Sequence, residues 1–220
     1  MRTLPVLLLL LTGCVDEDAS GPIPPDQRPE LEDDSGFSPD DTDTLPEDTD
    51  TEQEEEEEEE ADPIWEEDCH PDLEGWASGW ASKEEKVVEL INEARATPTN
   101  CGSEGNFAAA GPVVMDAHLR CAARYHSLWM SDTRSFSHES PGGDLGEDPW
   151  ERIDSTGFAG FAVGENIAAG YGSASSVVNG WLDSDGHCSN LMNPDATLTG
   201  VGYYSGNGEY GEYWTQNFGQ

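Results

Sequence analysis

Phe136-Ser137-His138, Gly164-Glu165-Asn166-Ile167-Ala168, Trp181-Leu182-Asp183-Ser184-Asp185-Gly186-His187-Cys188 and Tyr213-Trp214-Thr215-Gln216-Asn217-Phe218-Gly219 follow one another in the C-terminal part of the chain. Two imidazoles and a carboxylate, each set among small residues, lie on three separate segments. They can meet only through a tertiary fold, and such convergence is how sites are built.

The elements that would carry them can be read around these segments. Ser82-Lys83-Glu84-Glu85 has the form of a capping box, and Val87, Leu90, Ile91 and Ala94 follow at helical spacing, so a helix is expected from Ser82 to the stop at Thr97-Pro98. A second helix is expected after Asp116, with Leu119, Ala122, Ala123, His126, Trp129 and Met130 on its apolar face, and Val113-Val114-Met115 before it suits a short strand. Pro149 to Ile153 reads as a short helix ended by Gly157. Ser173 can cap another through Val177, Val178, Trp181 and Leu182, which Gly186 would end, leaving His187 just beyond its C-terminus. Gly200 to Tyr204 and Tyr213 to Phe218 read as two strands joined by a turn around Gly206-Asn207-Gly208. Helices first and a hairpin last point to an α+β fold with helices on an antiparallel sheet.

Charge divides the chain. Of 47 Asp and Glu in 220 residues with a net charge of −38, 28 fall between Val15 and Glu74, where Arg28 is the only basic residue. That tract carries many prolines and few large apolar residues, so it cannot bury enough surface to offset chain entropy; it is expected to be a disordered acidic tether, residues 14–74. The Glu54–Glu60 block reads as a solvated spacer kept extended by self-repulsion. Residues 75–220 are left as one folded domain. So negative a chain, with no basic stripe, excludes nucleic acid as a partner.

At the start, Arg2 precedes an apolar run from Leu4 to Leu11, too short to span a bilayer but suited to a signal peptide, residues 1–13. Leu11-Thr12-Gly13-Cys14 resembles the lipobox of bacterial lipoproteins, which would make Cys14 the lipidated mature N-terminus. Secretion across the inner membrane and lipid anchoring in the envelope follow. Val15 after the cysteine, rather than Asp, favours the outer membrane or cell surface. An oxidising compartment leaves Cys69, Cys101, Cys121 and Cys188 for disulfides, with three possible connectivities that spacing alone does not separate.

Ala122-Ala123-Arg124-Tyr125-His126-Ser127, taken with the segments quoted at the outset, resembles the CAP superfamily of cysteine-rich secretory, antigen 5 and pathogenesis-related 1 proteins, in its bacterial SCP-like extracellular branch. The likeness covers about residues 83 to 220. It implies a three-layer α-β-α sandwich with a small antiparallel sheet. It also implies a cleft of two His and two acids, in which His138 matches the first His, Glu165 the acid of the Gly-Glu-Asn motif and His187 the second His. The fourth position holds Ser184, so Asp183 or Asp185 is the candidate substitute. For the cysteines it implies Cys101 with Cys188, leaving Cys69 with Cys121.

Two neutral imidazoles, His138 and His187, could share Zn²⁺ or another divalent cation and leave positions for water, while Glu165 orients an imidazole or accepts a proton. His126 is expected to be a hydrogen-bonded core histidine, and His70 and His118 surface residues; Trp181 and Trp214 are expected in the core. Three functions fit: a monomeric binding module for a lipid, glycan, peptide or other small ligand, a metal- or acid/base-assisted hydrolase built on His138, Glu165 and His187, or a structural envelope protein. Ser137 adjoins His138, but no Gly-x-Ser-x-Gly elbow surrounds it.

Overall fold

The structure, a computed structural model, describes residues 69–220. The expected signal peptide, Cys14 and the tether up to residue 68 lie outside the described residues. In chain order the elements are α1 (Ser78–Arg95), β1 (Thr99–Asn100), β2 (Asn106–Phe107), β3 (Val114–Met115), α2 (Ala117–Thr133), α3 (Pro149–Ser155), β4 (Ala162–Ala169), α4 (Ala174–Leu182), α5 (Asp185–Leu191), β5 (Leu198–Ser205) and β6 (Glu212–Gly219). This is the expected α+β sandwich. The main sheet runs β3-β5-β6-β4, and β1 and β2 form a separate two-stranded ladder. β6 pairs antiparallel with both neighbours, but β3 pairs parallel with β5, so the sheet is mixed at one margin rather than wholly antiparallel.

Register decides which side chains meet which helical layer. Ala168 pairs with Trp214, which also pairs with Tyr203, and Gln216 pairs with Val201, so these residues share one face. There Ala168, Val201, Trp214 and Phe218 pack against Val87 and Ile91 of α1 and Val177, Val178 and Trp181 of α4. On the opposite face Ile167, Ala169 and Tyr213 meet Met130 of α2. α2 lies unusually close to β5 there. A Cβ on Gly200 would come within 2.1 Å of the Leu119 carbonyl carbon, and one on Gly202 within 2.3 Å of that of Ala123. Only glycine admits helix backbone at that separation.

Both open sheet edges are closed by side chains. Beyond β3 the edge of β5 is free, and the Tyr203 amide donates to Glu84 Oε1 at 3.0 Å. Glu84 is fully buried and also accepts from Trp76 Nε1 at 2.9 Å, Arg120 Nε at 2.9 Å and Arg124 NH2 at 2.6 Å, so one carboxylate ties α1 and α2 to the strand. On the other edge, the Ile167 carbonyl of β4 accepts from Trp181 Nε1 at 3.2 Å and the Glu165 carbonyl from Asn190 Nδ2 at 3.3 Å. An edge strand covered in this way has few free groups with which to pair another chain.

Several expectations need correcting. α1 starts at Ser78, with Ala77 as an N-cap that makes no side-chain bond, and Ser82 is an interior residue whose hydroxyl donates to the Ser78 carbonyl. The contacts of Trp80 with Trp76, Tyr203 and Tyr204 extend the helix upstream past the local capping signal. Gly186 does not end a helix: α4 stops at Leu182, and Ser184, in extended conformation, starts α5, which carries His187 inside it. β4, which holds Glu165, has no counterpart in the strands expected from sequence. Within residues 69–74, assigned above to the tether, Cys69 is bonded to Cys121 and Leu73 is buried against Cys121 and Tyr125, while Pro71, Asp72 and Glu74 are exposed. His70 is accordingly no surface residue, its side chain being 10% exposed. His118 is half-buried, with Nδ1 against the Thr156 carbonyl.

Candidate functional site

Glu165 sits on the α2-facing side of β4 with its side chain 3% exposed. Both carboxylate oxygens are committed. Oε1 lies 2.8 Å from His138 Nδ1, and Oε2 accepts from Arg152 NH2 at 2.8 Å. Burial alone would raise this carboxyl's pKa, but the neighbouring imidazoles and the Arg152 guanidinium outweigh it and hold the group below the usual carboxylate range. Burial keeps His126 neutral down to about pH 4, so at neutral pH the guanidinium and the His138 hydrogen bond do this work.

His138 lies between α2 and α3, on a segment fastened at several points. His126 Nε2 meets the Ser137 carbonyl at 2.8 Å. Arg152, fully buried, donates to the His138 carbonyl at 2.9 Å and to Ser140 Oγ at 2.6 Å. The His138 side chain is 48% exposed, and with Nδ1 on Glu165 its Nε2 is the ring nitrogen left for a ligand. A buried anion that orients a half-exposed imidazole is an arrangement suited to a ligand contact or to general-base work.

His187 comes from the other side of β4. Asn166, one residue beyond Glu165, donates from Nδ2 to the His187 carbonyl at 3.2 Å and accepts from Asn190 Nδ2 at 2.9 Å. The buried Cys101–Cys188 disulfide, the expected pair, fastens the next residue of α5 to the segment after β1. Arg95 donates to the Leu191, Asn193 and Ala196 carbonyls, holding the C-terminal end of the same helix. The structure thus joins His138 directly to Glu165 and places the His187 backbone one residue along the same strand.

Asp185, in the first turn of α5 with His187, has its carboxylate hydrogen-bonded to Ser103, accepting from N at 2.8 Å and from Oγ at 2.6 Å. Asp183 is the exposed C-cap of α4, and the matching Ser184 is buried. Among the described residues no group of three or more His, Cys, Asp or Glu side chains is placed to hold a metal ion. Glu165 is committed to His138 and Arg152 through both of its oxygens.

Sequence reasoning missed Arg152, Asn166 and Asn190. Arg152 was detectable: it lies three residues after Pro149 and beside Ile153, on the face of α3 that an isolated apolar pattern would bury, and a buried guanidinium demands an acid. His126 is as expected, fully buried, hydrogen-bonded and stacked on Trp129 at 5.9 Å.

Comparison with known proteins identifies the family of this domain. The chain is 36% identical over 141 residues to the uncharacterized protein YkwD of Bacillus subtilis, covering 64% of this chain and 48% of that one. It is 38% identical over 94 residues to the uncharacterized membrane protein YlbC of the same organism, covering 42% and 24%. The chain thus spans about half the length or less of these relatives. A crystal structure of an extracellular protein containing an SCP domain from Bacillus anthracis superposes with a TM-score of 0.51 at 30% identity, covering 64% of this chain and 41% of that one. With residues 88–218 matched by the cysteine-rich secretory protein family, CAP, the chain belongs to that family.

Proposed function

We propose that this domain is an extracellular ligand-binding module of the cell envelope whose cleft is built on His138, Glu165 and His187. The observation that carries this reading is the Glu165–His138 pair: a buried carboxylate with both oxygens satisfied fixes a half-exposed imidazole with one nitrogen left for a partner. A lipid, glycan or peptide with a polar head could use that nitrogen directly, or through a divalent cation shared with His187. An extracellular placement is supported by the related protein of Bacillus anthracis, and anchoring rests on the Leu11-Thr12-Gly13-Cys14 run. No helix among the described residues is long and apolar enough to cross a membrane.

The cation is tested by calorimetric titration of residues 69–220 with zinc at pH 7.5 and 5.5, on either side of the ~6.5 imidazole pKa. Loss of binding in His138→Ala and His187→Ala, retention in His126→Gln and weakening at the lower pH are expected. Equal binding by all variants would put the ion on the acidic surface. The ligand is tested by amide chemical-shift titration with a lysophospholipid, a chito-oligosaccharide and a short peptide. Shifts confined to residues away from 138, 165 and 187 would overturn the cleft assignment. The same Glu–His pair also favours a second reading as a general base, and release of product from any of these probes would turn the module into a hydrolase. Ser137 is a poor nucleophile for it, because no Gly-x-Ser-x-Gly elbow presents its hydroxyl.

A further inference from the structure

The short segment Cys69–Leu73 does more than enter the domain. Cys69 is bonded to Cys121 in the middle of α2, with the Cα atoms 5.8 Å apart, and Leu73, at the end of the Pro71–Leu73 3-10 turn, is buried. The small apolar cluster that Leu73 joins contains Cys121 and Tyr125 and is flanked by Cys69, Trp76 and Leu145. Leu145 belongs to the loop that begins at His138. The same loop is held a second time, since the Asp144 amide donates to the Tyr125 hydroxyl and the Asp144 carboxylate lies 3.6 Å from His70 Nε2. His70 in turn packs on the Tyr125 ring at 4.7 Å. The arm, Tyr125 and the loop therefore form one stack.

The loop has little core of its own. It is closed by Ser140 N to Glu147 O at 2.7 Å, Gly143 N to Ser140 O at 2.9 Å and Gly146 N to Gly143 O at 3.1 Å, and Gly142 and Gly146 have positive φ. Arg152 grips its His138 end, whereas its Asp144–Leu145 end depends on Tyr125 and the arm. The two disulfides differ in access. Cys101 and Cys188 are 1% and 0% exposed and Cys121 is 5% exposed, whereas Cys69 is only half-buried and is the sulfur that solvent reaches.

We propose that Cys69–Leu73 is a brace that positions the His138 loop, and that Cys69–Cys121 is its redox-sensitive latch, opened by a dithiol reductant while Cys101–Cys188 keeps the His187 helix in place. In the opening step a dithiol thiolate attacks one sulfur of the Cys69–Cys121 bond. The second dithiol sulfur then displaces the protein thiol from the mixed disulfide. The protein gains two electrons and two protons as two thiols, and the reductant leaves as a disulfide. Freed of its covalent tie, an arm with one buried apolar side chain no longer offsets its own ordering entropy, and the loop loses the contacts at Asp144 and Leu145.

The test is made on the full chain. Graded dithiothreitol followed by alkylation and peptide mass analysis should label Cys69 and Cys121 before Cys101 and Cys188. Hydrogen exchange of the same samples, and of Cys69→Ser/Cys121→Ser, should quicken the amides of residues 140–147 by about tenfold, with α5 and β4 unchanged. Should the double variant fail to fold, His70→Ala and Tyr125→Phe keep both disulfides and should quicken the same amides alone. Labelling of Cys101 and Cys188 first or together with the other pair, or a freed arm beside a loop whose exchange is unchanged in all variants, would overturn the proposal. It rests on His138 belonging to the site, but amide exchange needs no ligand, so its failure is distinguishable from failure of ligand binding.

Discussion

Replacing Arg152 with methionine keeps most of the side-chain volume and removes a permanent cation that touches Glu165. Three charge-assisted hydrogen bonds disappear, to Glu165 Oε2, to the His138 carbonyl and to Ser140 Oγ. Glu165 remains with its side chain 3% exposed and with His138 as its hydrogen-bond partner. Removing one member of a buried ion pair costs about 3–5 kcal/mol, a large share of the ~5–15 kcal/mol that holds a domain of this kind together. The sign with pH follows from the carboxyl. In the native protein its pKa is lowered, so the stability it contributes is fully present above the unfolded value and is lost as pH falls through the folded one. In the variant the burial term is no longer outweighed, the carboxyl takes up its proton at higher pH, and the cost of the substitution shrinks on acidification by up to ~1.4 kcal/mol per unit of pKa moved. Arg152 also helps hold the His126 pKa down, so its removal adds to the same shrinkage on acidification. Urea unfolding of both proteins at pH 7.5 and pH 4.5 measures this directly. A cost below about 1 kcal/mol at pH 7.5 would refute the burial of an uncompensated charge, and a cost equal at the two pH values would refute its electrostatic origin.

Other substitutions probe the frame. His126 is kept neutral in the fold, with a pKa lowered from 6.5 to about 4 by burial, so the unfolded chain binds the extra proton and stability is lost as pH falls from 6.5 towards 4. About 3 kcal/mol of acid destabilisation over that window should vanish in His126→Phe, measured by urea midpoints along a pH series. Gly202→Ala would drive a Cβ into the Ala123–Arg124 backbone and should lower stability by about 3 kcal/mol or more, whereas Gly186→Ala, with open space around it, should be within about 1 kcal/mol of wild type by thermal unfolding. Trp181→Phe uncaps the Ile167 carbonyl and should cost about 1–3 kcal/mol beyond its small cavity. Cys14→Ser should release the protein from membrane fractions if the lipobox reading is right; unchanged fractionation would discard it.

What could be read from the sequence followed from how local each signal was. Asp116 caps α2 through a bond to the Leu119 amide, and Ser173 caps α4 through Ser176, both within three residues, so both helix starts were legible. Ser82 carried the same kind of signal and failed, because Trp80 finds Tyr203 and Tyr204 on a strand more than a hundred residues away. β4 was missed because Ala-Val-Gly-Glu-Asn-Ile-Ala-Ala has no apolar alternation; the strand is buried on both faces, and its polar residues are spent on Arg152 and His138 on one side and on α5 on the other. His138, Glu165 and His187 were identifiable as a set through the resemblance. Arg152 had a local cue in its place beside Ile153 on the buried side of α3, but its pairing with Glu165 joins distant elements and no local pattern encodes it.

The positions of the two imidazoles are set by different means, and this bears on what the cleft can do. His138 is held through its ring, by a carboxylate that is itself pinned by a guanidinium, so its orientation and tautomer are fixed together. His187 is held through its helix: Asn166 takes its carbonyl, Cys188 is bonded to Cys101, Arg95 holds the carbonyls at the helix end, and Asp185 ties the first turn to Ser103. Such fastening fixes the backbone that carries His187. Loosening Glu165 should therefore weaken every ligand that uses His138, because the ring would lose the carboxylate that orients it.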